Sequence, residues 1–218
     1  MNAPPFVSRG GIKLRHALDA FRIDPSGLAC ADLGASTGGF TDCLLKAGAA
    51  RVTAVDTGYG ILDYRLRTDP RVIVRERTNA IHADPPPDAD KPALIVIDLG
   101  WTPQRLAVPA ALRWLRSDPA SRIITLIKPQ YEADAAIKTA SMREGVLDDA
   151  AAERLAQATA DAMPALGATC LGLTRSPILG GETRGKSRGN AEWLALLTRA
   201  SPPSTPDVKS EDPGPSAR

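Results

Sequence analysis

The sequence predicts an α/β fold: a mostly parallel, seven-stranded sheet with one antiparallel strand and helices on both faces. Short apolar runs alternate along the chain with segments of helical periodicity, and several of these runs contain no polar residue. Strands that are apolar throughout are typical of parallel sheets buried on both faces. Charged residues also lie at the ends of four runs, where sheets of this kind bind their ligands.

The first half of the chain predicts three strands and three helices. Apolar residues at near-helical spacing predict a helix over 11–21, and the apolar run at 28–33 predicts the first strand. A glycine-rich turn follows, then a helix that runs through residue 45 and ends at Gly48, because glycine commonly ends helices. The other elements of this half are a strand at 51–55, a short helix at 62–67 and a strand at 72–74.

The second half predicts two continuous apolar strands, each followed by a charged residue, Asp98 or Lys128. The short apolar run at 192–197 fits either a strand or a helix. If it is a strand antiparallel to the others, Glu192 lies at the same rim as Asp98 and Lys128. The other elements of this half are strands at 93–97, 123–127 and 168–173 and helices at 104–115 and 150–163.

Composition indicates one globular domain over residues 1–200. The chain has 218 residues, 43% of them apolar, but no run of about 18 apolar residues that would span a membrane. We find no signal-peptide pattern and expect a cytoplasmic protein that is a monomer or weak dimer. Three scattered cysteines and two histidines predict no metal site, and the proline- and serine-rich residues 201–218 predict a disordered tail.

The most informative segment is the glycine-rich turn at 31–40, ADLGASTGGF, which leads into a helix. Glycines let a ligand approach the backbone closely, and a helix N-terminus attracts a carboxylate or phosphate. Asp56 stands at the end of the second strand, where it could bind ribose hydroxyls. These features predict an adenosine-type cofactor, although a purely structural turn is the alternative.

The amino-acid sequence of this turn narrows the choice of cofactor. It lacks both the Gly-x-Gly-x-x-Gly pattern and the Gly-Lys-Ser/Thr of a phosphate-binding loop, which disfavours dinucleotides and nucleoside triphosphates. An acidic residue just before the first glycine is typical of methyltransferases that use S-adenosylmethionine. In such an arrangement Asp32 would face the methionine end of the cofactor and Asp56 the ribose.

Three segments carry an excess of basic residues, although the net charge is only +2. They would form one phosphate-binding face if the fold brought them together, and otherwise each is an ordinary solvated surface. The cations are Arg9, Lys13, Arg15 and Arg22 in the first segment, five arginines between 65 and 77 in the second, and Arg175, Arg184, Lys186 and Arg188 in the third.

Nine short motifs occur in order between residues 6 and 197. They are SRGGIKL at 8–14, DLGASTGGFTD at 32–42, VDTGYG at 55–60, DPRV at 69–72, ERTN at 76–79, VID at 96–98, LIKPQYE at 126–132, SPI at 176–178 and GNAEWL at 189–194. In this order they resemble the TlyA, or hemolysin, branch of the FtsJ-like ribose 2′-O-methyltransferases. The resemblance implies a Rossmann-like S-adenosylmethionine-dependent methyltransferase fold.

The resemblance also implies a substrate and a set of site residues. The cofactor would be S-adenosylmethionine, and the partner would be RNA, in particular ribosomal RNA or a ribosomal subunit. The family's catalytic set falls on Lys13, Asp98, Lys128 and Glu192. Its cofactor contacts fall on Asp32, Gly34, Ala35, Ser36, Gly38, Gly39, Phe40, Asp56, Asn79 and Asp98.

Three features depart from the family pattern and concern the RNA target rather than the chemistry. Relatives carry a small RNA-binding domain before the first motif, whereas only seven residues precede it here. Gly100 and Trp101 stand where a small hydroxyl residue and phenylalanine usually follow the aspartate. The segment GVLD at 145–148 lacks the basic residue that is usual there.

Methyl transfer to a ribose hydroxyl requires oxygen, methyl carbon and sulfur in line and a group that accepts the hydroxyl proton. We expect Lys128, oriented by Asp98, to accept that proton, while Lys13 and Glu192 orient the ribose; the two lysines could also act in reverse. A lysine is a base only when neutral, and each ammonium group could lower the pKa of the other. Trp101 and Tyr131 could stack on a flipped nucleotide or pack in the core.

Two other classes of function fit the same sheet. A nicotinamide-dependent oxidoreductase would bind NAD, but the amino-acid sequence of the turn disfavours NAD as the ligand. A non-catalytic module would bind RNA or the cofactor without transferring a methyl group. The hemolysin label suggests pore formation, but the sequence contains no apolar run long enough to predict a membrane segment.

Overall fold

The computed structural model describes residues 4–143, 145–181 and 189–200. The predicted tail at 201–218 lies outside the described residues. So do three cations of the third basic segment, Arg184, Lys186 and Arg188.

Helices and strands alternate over most of the chain. The helices are α1 (Gly10–Phe21), α2 (Gly39–Lys46), α3 (Tyr64–Arg67), α4 (Gln104–Trp114), α5 (Pro129–Glu132), α6 (Ala135–Ser141) and α7 (Asp149–Asp161). The strands are β1 (Ala29–Leu33), β2 (Arg51–Val55), β3 (Val72–Arg75), β4 (Leu94–Ile97), β5 (Arg122–Ile127), β6 (Met142–Arg143), β7 (Val146–Leu147), β8 (Ala168–Arg175) and β9 (Trp193–Arg199).

Seven strands form one sheet in the order β3-β2-β1-β4-β5-β9-β8. The pairs from β3 to β5 are all parallel, whereas β9 is antiparallel to both β5 and β8. The chain therefore moves outward from β1 in one direction and then returns to start β4 on the other side of β1. The carboxyl ends of β1 and β4 flank the crevice where open sheets of this kind bind ligands.

The two faces of the sheet are covered by different helices. Successive side chains of β4 point to opposite faces, so Ile95 and Ile97 join one core cluster and Leu94 and Val96 the other. The first cluster also contains residues of α4 and α7, and the second contains residues of α1, α2 and α3. The burial of consecutive strand residues on both faces explains why these runs contain no polar residue.

The predicted fold class is confirmed, including the single antiparallel strand. The predicted strand at 51–55 matches β2, and the ambiguous run at 192–197 forms β9, a strand that starts at Trp193. The prediction missed the structure between 129 and 148, which holds α5, α6 and the β6–β7 hairpin. These elements are two to seven residues long, too short for hydrophobic periodicity to reveal.

None of the helices in the described ranges is long and apolar enough to cross a membrane. Within the same ranges, no three histidine, cysteine or acidic side chains lie close enough together to hold a metal ion.

Candidate functional site

Three of the four predicted catalytic residues stand at one rim of the sheet. Asp98 follows β4 directly and Lys128 follows β5, so both lie at the carboxyl ends of neighbouring parallel strands. Glu192 precedes β9, and because β9 runs antiparallel, its start lies at the same rim. Lys13 reaches this rim from α1, which covers the sheet on the side of β8 and β9.

The four side chains form two lysine–carboxylate pairs. Nζ of Lys128 lies 2.5 Å from Oδ1 of Asp98, and Nζ of Lys13 donates a hydrogen bond of 2.6 Å to Oε2 of Glu192. The second pair is the more deeply buried, since the Glu192 side chain is only 3% exposed. The electrostatic fields of Asp98 and both lysines act on Glu192, so the two pairs belong to one cluster.

The pKa of Lys128 is raised, not lowered. Burial lowers this pKa, but the charge and hydrogen bond of Asp98, with Glu192 and Tyr131, outweigh burial. Mutual lowering of the lysine pKa values, which Asp98 and Glu192 were expected to oppose, does not prevail at Lys128, because the attraction of these carboxylates outweighs burial. Burial and the field of Asp98 also raise the pKa of Glu192, although Lys13 and Lys128 oppose this shift.

The glycine-rich turn packs directly against the backbone of Asp98. Gly34 has a φ of 95°, and a Cβ there would lie 2.4 Å from the backbone oxygen of Asp98. Gly38 has a φ of 100°, and a Cβ there would lie 2.3 Å from Cδ1 of Leu66. The first glycine therefore lets the turn pack against Asp98 at the rim of the sheet, and the other lets Leu66 of α3 pack against the start of α2.

Asp56 holds the turn in place from the end of β2. Its Oδ2 accepts a hydrogen bond of 2.8 Å from the backbone N–H of Ser36, and its Oδ1 accepts one of 2.7 Å from that of Gly58. Each carboxylate oxygen has a further lone pair. Asp56 can therefore fix the turn and still accept hydrogen bonds from a ligand.

Two adjoining cavities meet at Gly34, Ser36 and Asp98. One, the turn cavity, has a volume of about 660 Å³ and lies between α1 and the turn. The other, the strand-end cavity, has a volume of about 560 Å³ and extends past the ends of β2 and β4. The predicted site residues that line the turn cavity are Lys13, Gly34, Ala35, Ser36, Gly39, Phe40 and Asp98. Those that line the strand-end cavity are Gly34, Ser36, Asp56, Asn79, Asp98 and Lys128.

Three predicted site residues line neither cavity. Glu192 lies behind Lys13, and Gly38 packs against Leu66 as described above. Asp32 is 0% exposed; its Oδ2 accepts a hydrogen bond of 2.7 Å from Thr41, and its Oδ1 has no partner among the described residues. Burial raises the pKa of Asp32 to about 7, against the hydrogen bond from Thr41. Its contact with a cofactor stays a prediction.

Two aromatic side chains stand where the strand-end cavity opens. Trp101 lines this cavity but is 85% exposed, so it does not pack in the core. Its ring centroid lies 6.4 Å from that of Tyr131, and its φ of 51° is unusual for a residue with a bulky side chain. Nζ of Lys128 lies 5.9 Å from the centroid of the Tyr131 ring.

The second basic segment is largely neutralised by local ion pairs. Arg65 pairs with Asp63, Arg67 with Glu76 and Arg71 with Asp69. Arg75 and Arg77 lie instead over the rings of Trp114 and Tyr59. In the other segments, Arg15 pairs with Asp19 and Arg175 with Asp149. A continuous basic face built from all three segments stays a prediction.

The sequence did not single out Gly180 and Asn190 as residues that shape the site. Asn190 pairs with Gly180 in an isolated bridge and also binds the hairpin, accepting from N–H of Leu147 and donating to the backbone oxygen of Gly145. The motif GNAEWL contains Asn190 next to the predicted Glu192. The position of Asn190 in that motif could have indicated its role near the site. No sequence pattern indicated a role for Gly180.

Comparison with known proteins places the chain in a family. The family model described as FtsJ-like methyltransferase matches residues 6–181. YqxC of Bacillus subtilis, whose name as an rRNA methyltransferase is provisional, is 40% identical over 196 residues, which cover 88% of this chain and 65% of YqxC. The 16S/23S rRNA (cytidine-2′-O)-methyltransferase TlyA of Mycobacterium tuberculosis is 47% identical over 127 residues, which cover 58% of this chain and 47% of TlyA.

A solved structure agrees with these relatives. A hemolysin-named protein of Streptococcus thermophilus is 34% identical and superposes with a TM-score of 0.80, covering 91% of this chain and 68% of that one. The chain spans less than two thirds of the length of either curated relative. The family match, the identities and the shared fold lead to one conclusion: the chain belongs to the FtsJ-like methyltransferase family.

Proposed function

We propose that this protein is an S-adenosylmethionine-dependent methyltransferase that methylates ribose 2′-hydroxyl groups of ribosomal RNA. The observation that carries the proposal is the convergence of two lysine–carboxylate pairs at the rim where the glycine-rich turn meets Asp98. Ribose methylation needs a group that handles the hydroxyl proton beside a bound methyl donor, and this arrangement supplies one. The names of YqxC and TlyA support RNA as the substrate.

The residues around the strand-end cavity fit an adenosine-type cofactor. Asp56 would accept hydrogen bonds from the ribose hydroxyls, and Asn79 lines the same cavity farther from the catalytic pairs. Gly34 packs against the backbone of Asp98 and lines both cavities, so a ligand at the turn would lie next to Asp98. When bound, S-adenosylmethionine supplies a methyl group on a sulfonium leaving group.

Lys128 is the better candidate for the proton acceptor. It lines the strand-end cavity with Asp56 and Asp98, whereas Lys13 lines the turn cavity and is held by Glu192. Because its pKa is raised, Lys128 must release a proton before it can accept one from the ribose. Lys13, fixed by Glu192, would then orient the ribose and counter negative charge on the reacting oxygen.

Exposed aromatic side chains around the two cavities support RNA as the partner. Trp101 lines the strand-end cavity, whereas Tyr59 lies exposed in the loop after β2 and Tyr64 lies exposed at the start of α3. Arg77 lies over the Tyr59 ring, 4.1 Å from its centroid. Unpaired bases stack on aromatic and guanidinium groups, so this surface suits a single-stranded segment of RNA. A cytoplasmic location follows from this choice of substrate.

The test is transfer of label from S-adenosylmethionine to ribosomal RNA, supplied free and as ribosomal subunits. We expect label in RNA with the wild-type protein and with Lys138→Ala, a control at an exposed lysine on α6. Lys128→Ala should reduce the label by at least about 100-fold, the loss typical of a general base. No label with the wild-type protein, despite measured cofactor binding, would reject the proposal and favour a non-catalytic binding module.

A further inference from the structure

Gly180 lies against the carboxylate of Glu192. A Cβ on this glycine would stand 1.9 Å from Oε1 and 2.3 Å from Cδ of Glu192. The φ of Gly180 is not positive, so its backbone conformation is open to any residue. The neighbouring carboxylate, rather than the backbone, is therefore what requires glycine at this position.

The backbone of Gly180 is fixed on the side away from that carboxylate. Its N–H donates to the backbone oxygen of Asn190 at 2.8 Å, and the N–H of Asn190 donates back to Gly180 at 3.0 Å. A Cβ on Gly189 would stand 2.2 Å from the Gly180 oxygen, so these segments are in close contact. Since the side chain of Asn190 is also bound to the β6–β7 hairpin, the Gly180 segment cannot easily move away.

The backbone of Glu192 is fixed as well, because its oxygen accepts a hydrogen bond of 2.8 Å from the N–H of Ser176. A side chain added at Gly180 would therefore displace the carboxylate, whose atoms are the three nearest to the added Cβ among the described residues. That carboxylate holds Nζ of Lys13 at 2.6 Å in a site almost closed to water. Its displacement would move or release the Lys13 ammonium group.

We infer that Gly180 is a positioning residue for methyl transfer: by leaving room for the Glu192 carboxylate, it holds Lys13 at the reacting ribose. This inference rests on the proposed function, because it assigns a role within the same site. Gly180 is not among the residues that line the two cavities, so its proposed effect is exerted through Glu192.

The experiment compares four variants, Gly180→Ala, Gly181→Ala, Glu192→Asp and the double variant of Gly180→Ala with Glu192→Asp. Gly181→Ala is the control at the neighbouring glycine, since its φ of 74° makes alanine strained but a Cβ there meets no atom of the described residues within 4 Å. We expect kcat of Gly180→Ala to fall by about 10- to 100-fold, the effect of misplacing a group by about 1 Å. KM for RNA and the cofactor Kd should stay within about twofold of wild type.

The double variant tests the mechanism. Aspartate is one methylene shorter, so it leaves room for the added Cβ, and the loss of kcat should be smaller than the product of the two single losses. A Gly180→Ala variant with the kcat of Gly181→Ala would overturn the inference. The inference would also be overturned if the loss of kcat in the double variant equals the product of the two single losses. The same holds if a fall in the stability of Gly180→Ala accounts for its lost activity.

A crystal structure of Gly180→Ala separates this inference from the proposed function. Absence of methyl transfer by the wild-type protein would reject the proposed function only. The positioning role is then judged on the distance between Nζ of Lys13 and Oε2 of Glu192, which is 2.6 Å in the unaltered chain. Loss of this contact supports the inference, and an unchanged contact contradicts it.

Discussion

The ammonium group of Lys128 lies 2.5 Å from the carboxylate of Asp98, at the ends of two adjacent parallel strands. The pairing follows from the topology, because β4 and β5 are neighbours in register and each is followed by a charged residue. Burial lowers the pKa of Lys128, but the attraction of this carboxylate contributes most to the opposite effect, so the pKa is raised. The pair therefore has a definite consequence for the pH dependence of the proposed reaction.

Methyl transfer should accelerate as the pH rises above neutrality. With a raised pKa, Lys128 is protonated at pH 7, and the neutral amine that accepts the ribose proton is a minor species. Below the pKa, its fraction grows about tenfold per pH unit, and we expect kcat to follow with a slope near one. Asp98→Asn removes the attraction and should move the profile to lower pH. A flat profile for the wild-type protein would exclude a titrating lysine base.

Asp32 should make the free energy of unfolding depend on pH. Its pKa is about 7 in the folded protein, against the ordinary aspartate value of 3.8 in the unfolded chain. The folded state binds the proton more tightly, so stability from this group is complete below about pH 4 and is lost as the pH rises through about 7. The loss is on the order of 4 kcal/mol for a shift of this size.

Urea unfolding of the wild-type protein and Asp32→Asn between pH 4 and pH 8 would measure this contribution. Asparagine does not titrate, so the variant should gain stability relative to wild type as the pH rises. Other groups titrate alike in both proteins, and their effects cancel in the difference. A difference that does not change with pH would show that the Asp32 carboxylate remains charged in the folded protein.

Replacing Trp101 with alanine should weaken RNA binding and leave the cofactor affinity nearly unchanged. The exposed ring borders the strand-end cavity, where a base of the target strand can stack. Loss of one stacked base costs about 1–3 kcal/mol, or roughly a 5- to 150-fold rise in Kd for RNA. Leu106→Ala is the control, an exposed apolar residue on α4 outside both cavities. Equal effects of the two substitutions on RNA binding would contradict a stacking role.

Replacing Asp56 with alanine should weaken cofactor binding. The change removes the acceptor of two backbone N–H groups that shape the turn, besides the predicted contact with ribose. Hydrogen bonds to a charged group contribute about 1.5–3 kcal/mol each, so we expect the cofactor Kd to rise by at least about tenfold in calorimetry. Asp69→Ala, which also removes a carboxylate bound to a backbone N–H, should bind the cofactor as the wild-type protein does.

The sequence was enough to predict the sheet and the rim at which Asp98, Lys128 and Glu192 come together. The run at 93–97 is apolar throughout because both faces of the sheet are covered, and Asp98 and Lys128 mark the points where buried strands end. The antiparallel direction of β9 followed from requiring Glu192 to join them. These features leave a local trace in the sequence, either as periodicity or as a charge at a strand end.

Other features depend on packing that local patterns do not encode. The full burial of Asp32 depends on Thr41 and the helices above β1, and the space beside Glu192 depends on Gly180. The direction of the Lys128 pKa is the balance of burial against Asp98, which requires their separation to be known. The short elements between 129 and 148 are likewise set by tertiary contacts, such as those of Asn190 with the hairpin.

The most direct test of the account is the chemical position of the transferred methyl group. Ribosomal RNA treated with the protein and S-adenosylmethionine would be digested to nucleosides and analysed by mass spectrometry. We predict a ribose 2′-O-methyl nucleoside with the wild-type protein and with Lys138→Ala, and at least about 100-fold less of it with Lys128→Ala. A methyl group on a base, or ribose methylation that persists at the wild-type level in Lys128→Ala, would contradict the account of this site.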